Sequence, residues 1–153
     1  MEKKTVATNR KARHLYHILE TYESGISLLG TEVKAIREGK VSLLEGYARF
    51  MDGDLYLMGV HIGDYSHAGH AGHVNVRDRK LLLNKRELGH LKKSFDVKGQ
   101  TLIPLSIYFK RGWAKVDLAV CRGKQQHDKR RAIAERDVKR ELTRTTRQMM
   151  KDR

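Results

Sequence analysis

The side chains most able to do chemistry cluster in one loop. His67, His70 and His73 recur at every third residue, with His61 just upstream. Three imidazoles at such spacing can hold zinc or nickel. Here the Ala-Gly pairs between them make a pliant loop rather than a rigid ligand frame, so no metal is expected and the loop reads as polar surface. Asp52 and Asp54 are the nearest thing to paired carboxylates, but they flank a glycine in an apparent hairpin turn. Cys121 is the single cysteine, and nothing in the sequence places a histidine beside it. It is expected to pack as a small apolar group rather than act as a nucleophile. No glycine-rich phosphate loop of the Walker type is present. Together these exclusions argue against an enzyme and against a cofactor.

The basic residues say more. Arg77-Asp78-Arg79-Lys80 runs directly into Leu81-Leu82-Leu83. That order puts cations at the edge of a packed element, where an arginine fork can grip a phosphate. Trp113 and Lys115 stand two apart, a stacking surface beside a charge, which is a pairing that suits RNA. An equally simple role for Trp113 is to close the core. The run from Arg122 through Lys124 and His127 to Arg131 is a dense array of donors for polyanions.

These groups need elements to hold them. Asn9 to His14 is a basic opening segment. Residues 15–30 read as strand, with a turn expected at Glu23-Ser24-Gly25. Thr31 is placed to cap a short helix whose inner face carries Val33 and Ile36 and which stops at Gly39. Residues 41–51 and 54–62 read as two strands joined through Asp52-Gly53, because glycine accepts positive φ without steric cost. A loop spans 63–79. Asn84 opens a helix with Glu87 three residues on, and Leu88, Leu91 and Phe95 share one face of it. Ile103, Leu105, Ile107 and Phe109 alternate along one strand, and Ala114, Val116, Leu118 and Val120 along the next. From Asp128 onward there is no glycine, proline or aromatic residue, and Ala134, Val138, Leu142 and Met149 form only a thin apolar stripe. Such a stripe buries too little to offset chain entropy, so a tail that is mobile alone and helical in a polyanionic groove is expected.

Short strands and small helices in the first three quarters of the chain suit a small closed β-barrel, of the OB-fold type or the SH3-like type. The expected fold class is therefore mainly β with small helices: an OB-fold-type barrel with flanking helices and a basic, partly disordered tail. The expected division is a basic segment 1–14, a barrel 15–123 and a tail 124–153.

The chain of 153 residues carries a formal net charge of +14. Residues 1–14 contribute +4 and residues 122–153 contribute +7, so eleven of the fourteen charges sit at the two ends. A near-neutral platform with basic arms is the electrostatic layout of a nucleic-acid binder. No apolar run is long enough to span a membrane and no secretory leader is evident, so a cytoplasmic monomer is expected.

Five strings, in order, then give a specific resemblance. They are Asn9-Arg-Lys-Ala-Arg-His-Leu-Tyr16, Gly30-Thr-Glu-Val-Lys34, Gly39-Lys40, Arg79-Lys-Leu-Leu-Leu-Asn-Lys-Arg-Glu87 and Gly123-Lys-Gln-Gln-His-Asp-Lys-Arg130. The chain resembles the bacterial SsrA-binding protein (small protein B) family over nearly its whole length. The resemblance implies an OB-fold barrel that grips the tRNA-like domain of transfer-messenger RNA (tmRNA). It further implies delivery of that RNA to stalled ribosomes, with elongation factor Tu an indirect partner. The tail would become a helix in the empty messenger channel. By position, Glu23, Leu82 and Lys115 match family residues implicated in RNA binding, and His14 one that stacks in the decoding centre. Asn9, Arg10, Arg13, Lys34, Arg37, Lys40, Arg79, Lys80, Arg122 and Lys124 complete the expected RNA-binding set. Asp128, Lys129 and Arg130 match the start of the functional tail. With His127, Arg131, Lys139 and Arg140 they form its expected ribosome-binding set. The chain departs from the family at Asn75, where proline is usual. Two readings stand beside this one: a general single-strand-binding OB protein, which would want more than three Phe, six Tyr and one Trp, and a small hydrolase or nuclease built on the histidine loop.

Overall fold

In the computed structural model, which describes residues 3–69, 72–124 and 126–151, the two clearest hairpins of the sequence form the spine of the fold. β4 (Tyr47–Met51) and β5 (Asp54–Met58) pair antiparallel, and so do β8 (Gln100–Lys110) and β9 (Trp113–Gly123). Their turns, Asp52-Gly53 and Arg111-Gly112, hold both central residues at positive φ (51° and 83°; 54° and 80°). That backbone matches the right-handed twist of the strands it joins.

Around these lie β2 (Tyr16–Ile26) and β7 (Arg79–Leu82). The pairings run β8-β4-β5-β7-β2-β9, and the β8–β9 ladder brings the last strand back to the first. The result is a ring of six strands, which leaves few unpaired edges. β1 (Lys3–Thr8) adds to the C-terminal half of β8. β3 (Val41–Ser42) and β6 (His61–Ile62) form a separate small pair. The chain is thus mainly β with helices at its flanks, as its patterning implies.

Inside the ring, Leu55, Leu57, Leu102, Ile107, Val116 and Leu118 are fully buried in one apolar cluster. Two helices cover it. α2 (Gly30–Arg37) inserts Ala35 and Ile36, both 0% exposed. α3 (Lys85–Asp96) inserts Leu91 and sets Phe95 edge-on to Phe50, centroids 5.7 Å apart. Asn84 caps α3 as expected, its side chain accepting from the Glu87 N–H at 2.8 Å.

Several expectations need correction. Glu23-Ser24-Gly25 is not a turn: β2 runs unbroken through it, with Ser24 opposite Val116. Ladder hydrogen bonds to two neighbours outweigh the local turn preference of Ser-Gly. Thr31 does not cap α2. The helix starts one residue earlier, and the Leu29 N–H is satisfied by Glu32 Oε1 at 2.8 Å. The alternation in β8 is interrupted by a register shift between Pro104 and Ser106. The bulge flips the facing. Ile107 and Phe109 point into the main core, whereas Ile103 and Leu105 pack with Ala12, Ala119 and Cys121 in a second cluster. The basic opening segment is a short helix, α1 (Arg10–Leu15), pinned by buried Ala12. The strand β1 ahead of it has no counterpart in the sequence reading.

The chain divides into two compact units between Gly123 and Lys124. In the second, α4 (Gln126–Lys151) is one continuous helix. Its described apolar residues are exposed, Val138 at 58% and Leu142 at 64%, which is the thin stripe seen in the sequence. Among the described residues, no helix is long and apolar enough to cross a membrane.

Candidate nucleic-acid interface

Strand register places the candidate site on the outer face of the ring. Leu82 on β7 lies opposite Gly25 on β2, Gly25 opposite Lys115 on β9, and Lys115 opposite Tyr108 on β8. Glu23 lies opposite Asp117, and Asp117 opposite Ser106. Directly opposed residues of antiparallel strands project to the same side. Two adjacent rows therefore share one surface, and Glu23, Lys80, Leu82 and Lys115 line one groove with Asp54, Asn84 and Glu87 at its margin.

Gly25 forms the floor. A Cβ there would stand 3.2 Å from Leu82 Cβ, so the absent side chain keeps the groove open between Leu82 and Lys115. Leu82 is 51% exposed while its neighbour Leu81 is buried, so Leu82 belongs to the surface and not to the core. Trp113, on the same strand face as Lys115, is 74% exposed. It does not close the core and is left as a bare aromatic surface.

Glu23 is the one carboxylate of this row that faces the groove, and it is held on two sides. The Tyr108 hydroxyl donates to Glu23 Oε2, and Lys110 Nζ lies 3.4 Å from both of its oxygens. The Tyr108 hydrogen bond, helped by Lys110 and Lys115, draws its pKa below the ordinary carboxylate value despite some desolvation. Tyr108 is itself 0% exposed. Burial, then Glu23, then Asp117 push its hydroxyl far up, so it remains a donor. Asp117 Oδ2 takes Lys3 Nζ at 2.8 Å and Ser106 Oγ at 3.1 Å, and its Oδ1 lies 3.1 Å from the Tyr108 hydroxyl. The Lys3 ammonium also lies 3.9 Å from the Tyr108 ring centroid.

The other expected RNA-binding residues distribute unevenly. Lys80 is exposed at the groove, 3.6 Å from Asp54. Arg10, Arg13 and Arg122 are exposed and His14 half-buried on or beside α1, β2 and β9. Lys34, Arg37 and Lys40 are exposed on and after α2, with Arg37 4.5 Å over the Phe109 ring. Lys40 reaches the Asp64 carbonyl at 3.1 Å, and Lys34 lies 5.3 Å from the Tyr65 ring centroid. Lys124 is half-buried.

Two expectations fail on burial. Arg79 is 0% exposed and cannot offer its guanidinium to a phosphate. It donates to Glu32 Oε2 at 2.5 Å, to the Val60 carbonyl at 2.8 Å and to the Asn75 carbonyl at 3.1 Å. Arg77 adds a second cation on Glu32 at 2.5 Å. Burial pushes the Glu32 carboxyl up, but the arginines and the Leu29 N–H outweigh it and leave its pKa lowered. Asn9 is 7% exposed, and its amide donates to the Pro104 carbonyl at 3.1 Å. Both residues shape the scaffold: Arg79 ties residues 74–77 to α2, and Asn9 fixes the start of α1.

The described histidines of the loop do not form a ligand set. His73 spends both ring nitrogens, on Thr31 Oγ1 at 2.9 Å and the Ile62 carbonyl at 3.0 Å. His67 packs edge-on to Tyr65, and His61 is exposed on β6. His70 lies outside the described residues. Among the described residues no three His, Cys, Asp or Glu side chains come together to hold a metal. Cys121 is buried and its thiol is pushed up to about 11 by desolvation, which makes it a poor nucleophile.

On α4, Lys139 and Arg140 are exposed and lie with Arg136, Arg144 and Arg147 along one basic face. Arg130 is exposed, and the side chains of His127, Asp128, Lys129 and Arg131 lie outside those described.

Sequence reasoning missed Tyr108, Asp117 and Lys3. The signal was present for two of them: alternation already put Tyr108 and Asp117 on the polar faces of paired strands.

The family described as SmpB protein matches residues 6–148. The chain belongs to the SmpB family. Among curated relatives, the SsrA-binding protein of Mycobacteroides abscessus is 51% identical over 93% of this chain and 89% of its own length. That of Thermobifida fusca is 49% identical over 94% and 90%. That of Solidesulfovibrio magneticus is 47% identical over 92% of each chain. A solved structure described as "tmRNA-SmpB: a journey to the center of the bacterial ribosome" superposes with a TM-score of 0.67 at 50% identity, covering 83% of this chain and 93% of that one. For an SmpB-family chain, the groove between β7, β2 and β9 gathers the three positions, Glu23, Leu82 and Lys115, singled out by the family resemblance.

Proposed function

We propose that this protein binds the tRNA-like domain of tmRNA and delivers it to stalled ribosomes for trans-translation, acting as an RNA-binding factor and not as an enzyme. The carrying observation is the convergence of Glu23, Lys80, Leu82 and Lys115 on one open groove. A cation, an apolar contact and a carboxylate in one site suit a folded RNA loop, whose phosphates, exposed base faces and base edges all demand a partner. Lys115 and Lys80 take phosphates and Leu82 takes a base or sugar face. The exposed Arg10, Arg13 and Arg122, with the half-buried His14 and Lys124, extend the electrostatic footprint.

The α4 unit supplies the second function. Its basic face fits a polyanionic channel, and as a ribosome-binding tail it probes the message path for the absence of message. Its described side chains are all exposed, so its helix depends on that contact. The protein works as a cytoplasmic monomer, and elongation factor Tu joins only through the RNA.

The test is a titration of the full chain against the isolated tRNA-like domain across a salt series, with an elongator tRNA and an unstructured RNA as competitors. Preference for the tRNA-like domain that persists at physiological salt supports shape recognition. Equal binding to all three, collapsing together as salt rises, reduces the protein to a general binder of single strands or polyanions, the reading that the bare Trp113 surface would favour.

A further inference from the structure

The groove contains an electrostatic oddity. A site built to attract phosphate holds an ionised carboxylate on its face, beside Lys115. Held by a lysine alone, Glu23 would be free to swing with it. Here Lys110 pairs with it at 3.4 Å, and a buried phenol anchors it from below. The Tyr108 hydroxyl faces two acceptors, Asp117 Oδ1 at 3.1 Å and Glu23 Oε2 closer still. A hydroxyl has one proton to give, and the shorter contact gives it to Glu23, while Lys3 at 2.8 Å and Ser106 at 3.1 Å both satisfy Asp117 Oδ2. The ring cannot shift to release it, being wholly buried and covered by the Lys3 ammonium at 3.9 Å. The strand β1 thus reaches the groove through a relay of contacts from Lys3 to Asp117 and Tyr108 and on to Glu23.

We propose that Tyr108 is a positioning residue which fixes Glu23 as an acceptor for base-edge N–H donors, giving the groove a base-reading function beside its phosphate contacts. This rests on the RNA-binding reading above. A carboxylate offers acceptors only. It repels phosphate, and what it takes from RNA is an exocyclic amine or an amine with an adjacent ring N–H, the pair guanine presents on its Watson–Crick edge. Such edges are free only in unpaired loops, so the fixed carboxylate discriminates against duplex. The groups facing Glu23 are Tyr108 and Lys110 from β8, Asp117 and Lys115 from β9, and Lys80 and Leu82 from β7. Tyr108 and Lys110 keep Glu23 ionised to lower pH than an ordinary carboxylate, so its acceptor role extends into mild acid.

The experiment measures binding of the full chain to the isolated tRNA-like domain from about pH 4 to about pH 7, for the wild type, Glu23→Gln, Tyr108→Phe, Lys110→Met and Glu23→Gln/Tyr108→Phe. Melting curves at each pH report folding. Glu23→Gln is expected to lose about tenfold in affinity at neutral pH, as a charge-assisted hydrogen bond is replaced by one of mixed donor and acceptor character. It should also flatten the part of the acid limb that the RNA alone does not explain. Tyr108→Phe keeps the ring beneath Lys3 but frees Glu23, so affinity falls and the acid limb moves to higher pH. The double variant should bind no worse than Glu23→Gln alone. A folded Tyr108→Phe protein with wild-type affinity and an unmoved acid limb overturns the proposal. So does a double variant in which the two losses simply add. Should Tyr108→Phe melt early, Lys110→Met, which removes only the second support at 3.4 Å, must show the same upward movement of the acid limb. The underlying RNA-binding reading fails differently: the wild type itself would not distinguish the tRNA-like domain from the elongator tRNA.

Discussion

Arg79 and Lys115 occupy opposite ends of what a cation does in this chain. Arg79 and Glu32 are both 0% exposed, and removing one partner of a buried pair leaves an uncompensated charge. Arg79→Ala is therefore expected to cost about 3–5 kcal/mol of stability, read by denaturant unfolding, and to loosen the loop that its carbonyl contacts hold. Lys115→Ala should leave the melting temperature near wild type. It should weaken binding of the tRNA-like domain and lower the salt slope by about one, and an unchanged slope would remove Lys115 from the phosphate contacts. Glu32 also carries a pH signature. Its folded pKa is lowered, so the unfolded state takes up a proton first as pH falls. The stability it contributes is complete above the unfolded carboxylate value of about 4.3 and is lost as pH drops below that toward the folded pKa. Melting curves through mild acid should show this loss, and Glu32→Gln should blunt it. The string Arg77-Asp78-Arg79-Lys80 does not reveal which arginine is buried. That is decided by Glu32, 47 residues away in the chain.

At the scale of elements, the site depends on three strands keeping register. Gly25→Val would place a branched side chain against Leu82, where a Cβ alone already stands at 3.2 Å. Filling the groove floor is expected to cost RNA affinity while β-propensity keeps β2 paired. Loss of the fold without any effect on binding per folded molecule would refute that role. The cap of α3 is a local device, and Asn84→Ala should cost about 1 kcal/mol, visible as a lower melting temperature with groove binding retained. Helices and hairpins such as these were legible because their signals are local: an Asn with Glu three residues on, and an Asp-Gly between alternating runs. The bulge in β8 was not, because its cause is the competing demand of two apolar clusters on opposite faces of one strand.

At the scale of the molecule, the proposed function gives the two units separate roles. Truncation after Gly123 removes α4 and most of the C-terminal charge but none of the β7–β2–β9 groove. The shortened protein is expected to retain preference for the tRNA-like domain, with a shallower salt dependence, and to lose tagging of stalled nascent chains. Normal tagging by the truncated chain would refute the message-path role of the helix. Circular dichroism of the isolated 124–153 peptide, with and without a polyanion, tests whether its helix needs that contact. The described side chains of α4 are all exposed, so helix formation there gains nothing from burial.

Local periodicity and turn chemistry were enough to establish a mainly β chain with small helices. Charge distribution was enough to establish a polyanion binder, and five ordered strings the family. Each of these depends on residues near one another in the chain, where side-chain spacing and backbone preference act directly. Which basic residues face solvent, why Asn9 and Arg79 turn inward, and how Lys3 comes to support Glu23 through Tyr108 were decided by tertiary structure. Burial, register and the pairing of charges across dozens of residues arise only when the strand ring closes. A sequence pattern records what a residue could do, and closure selects the partner with which it does it.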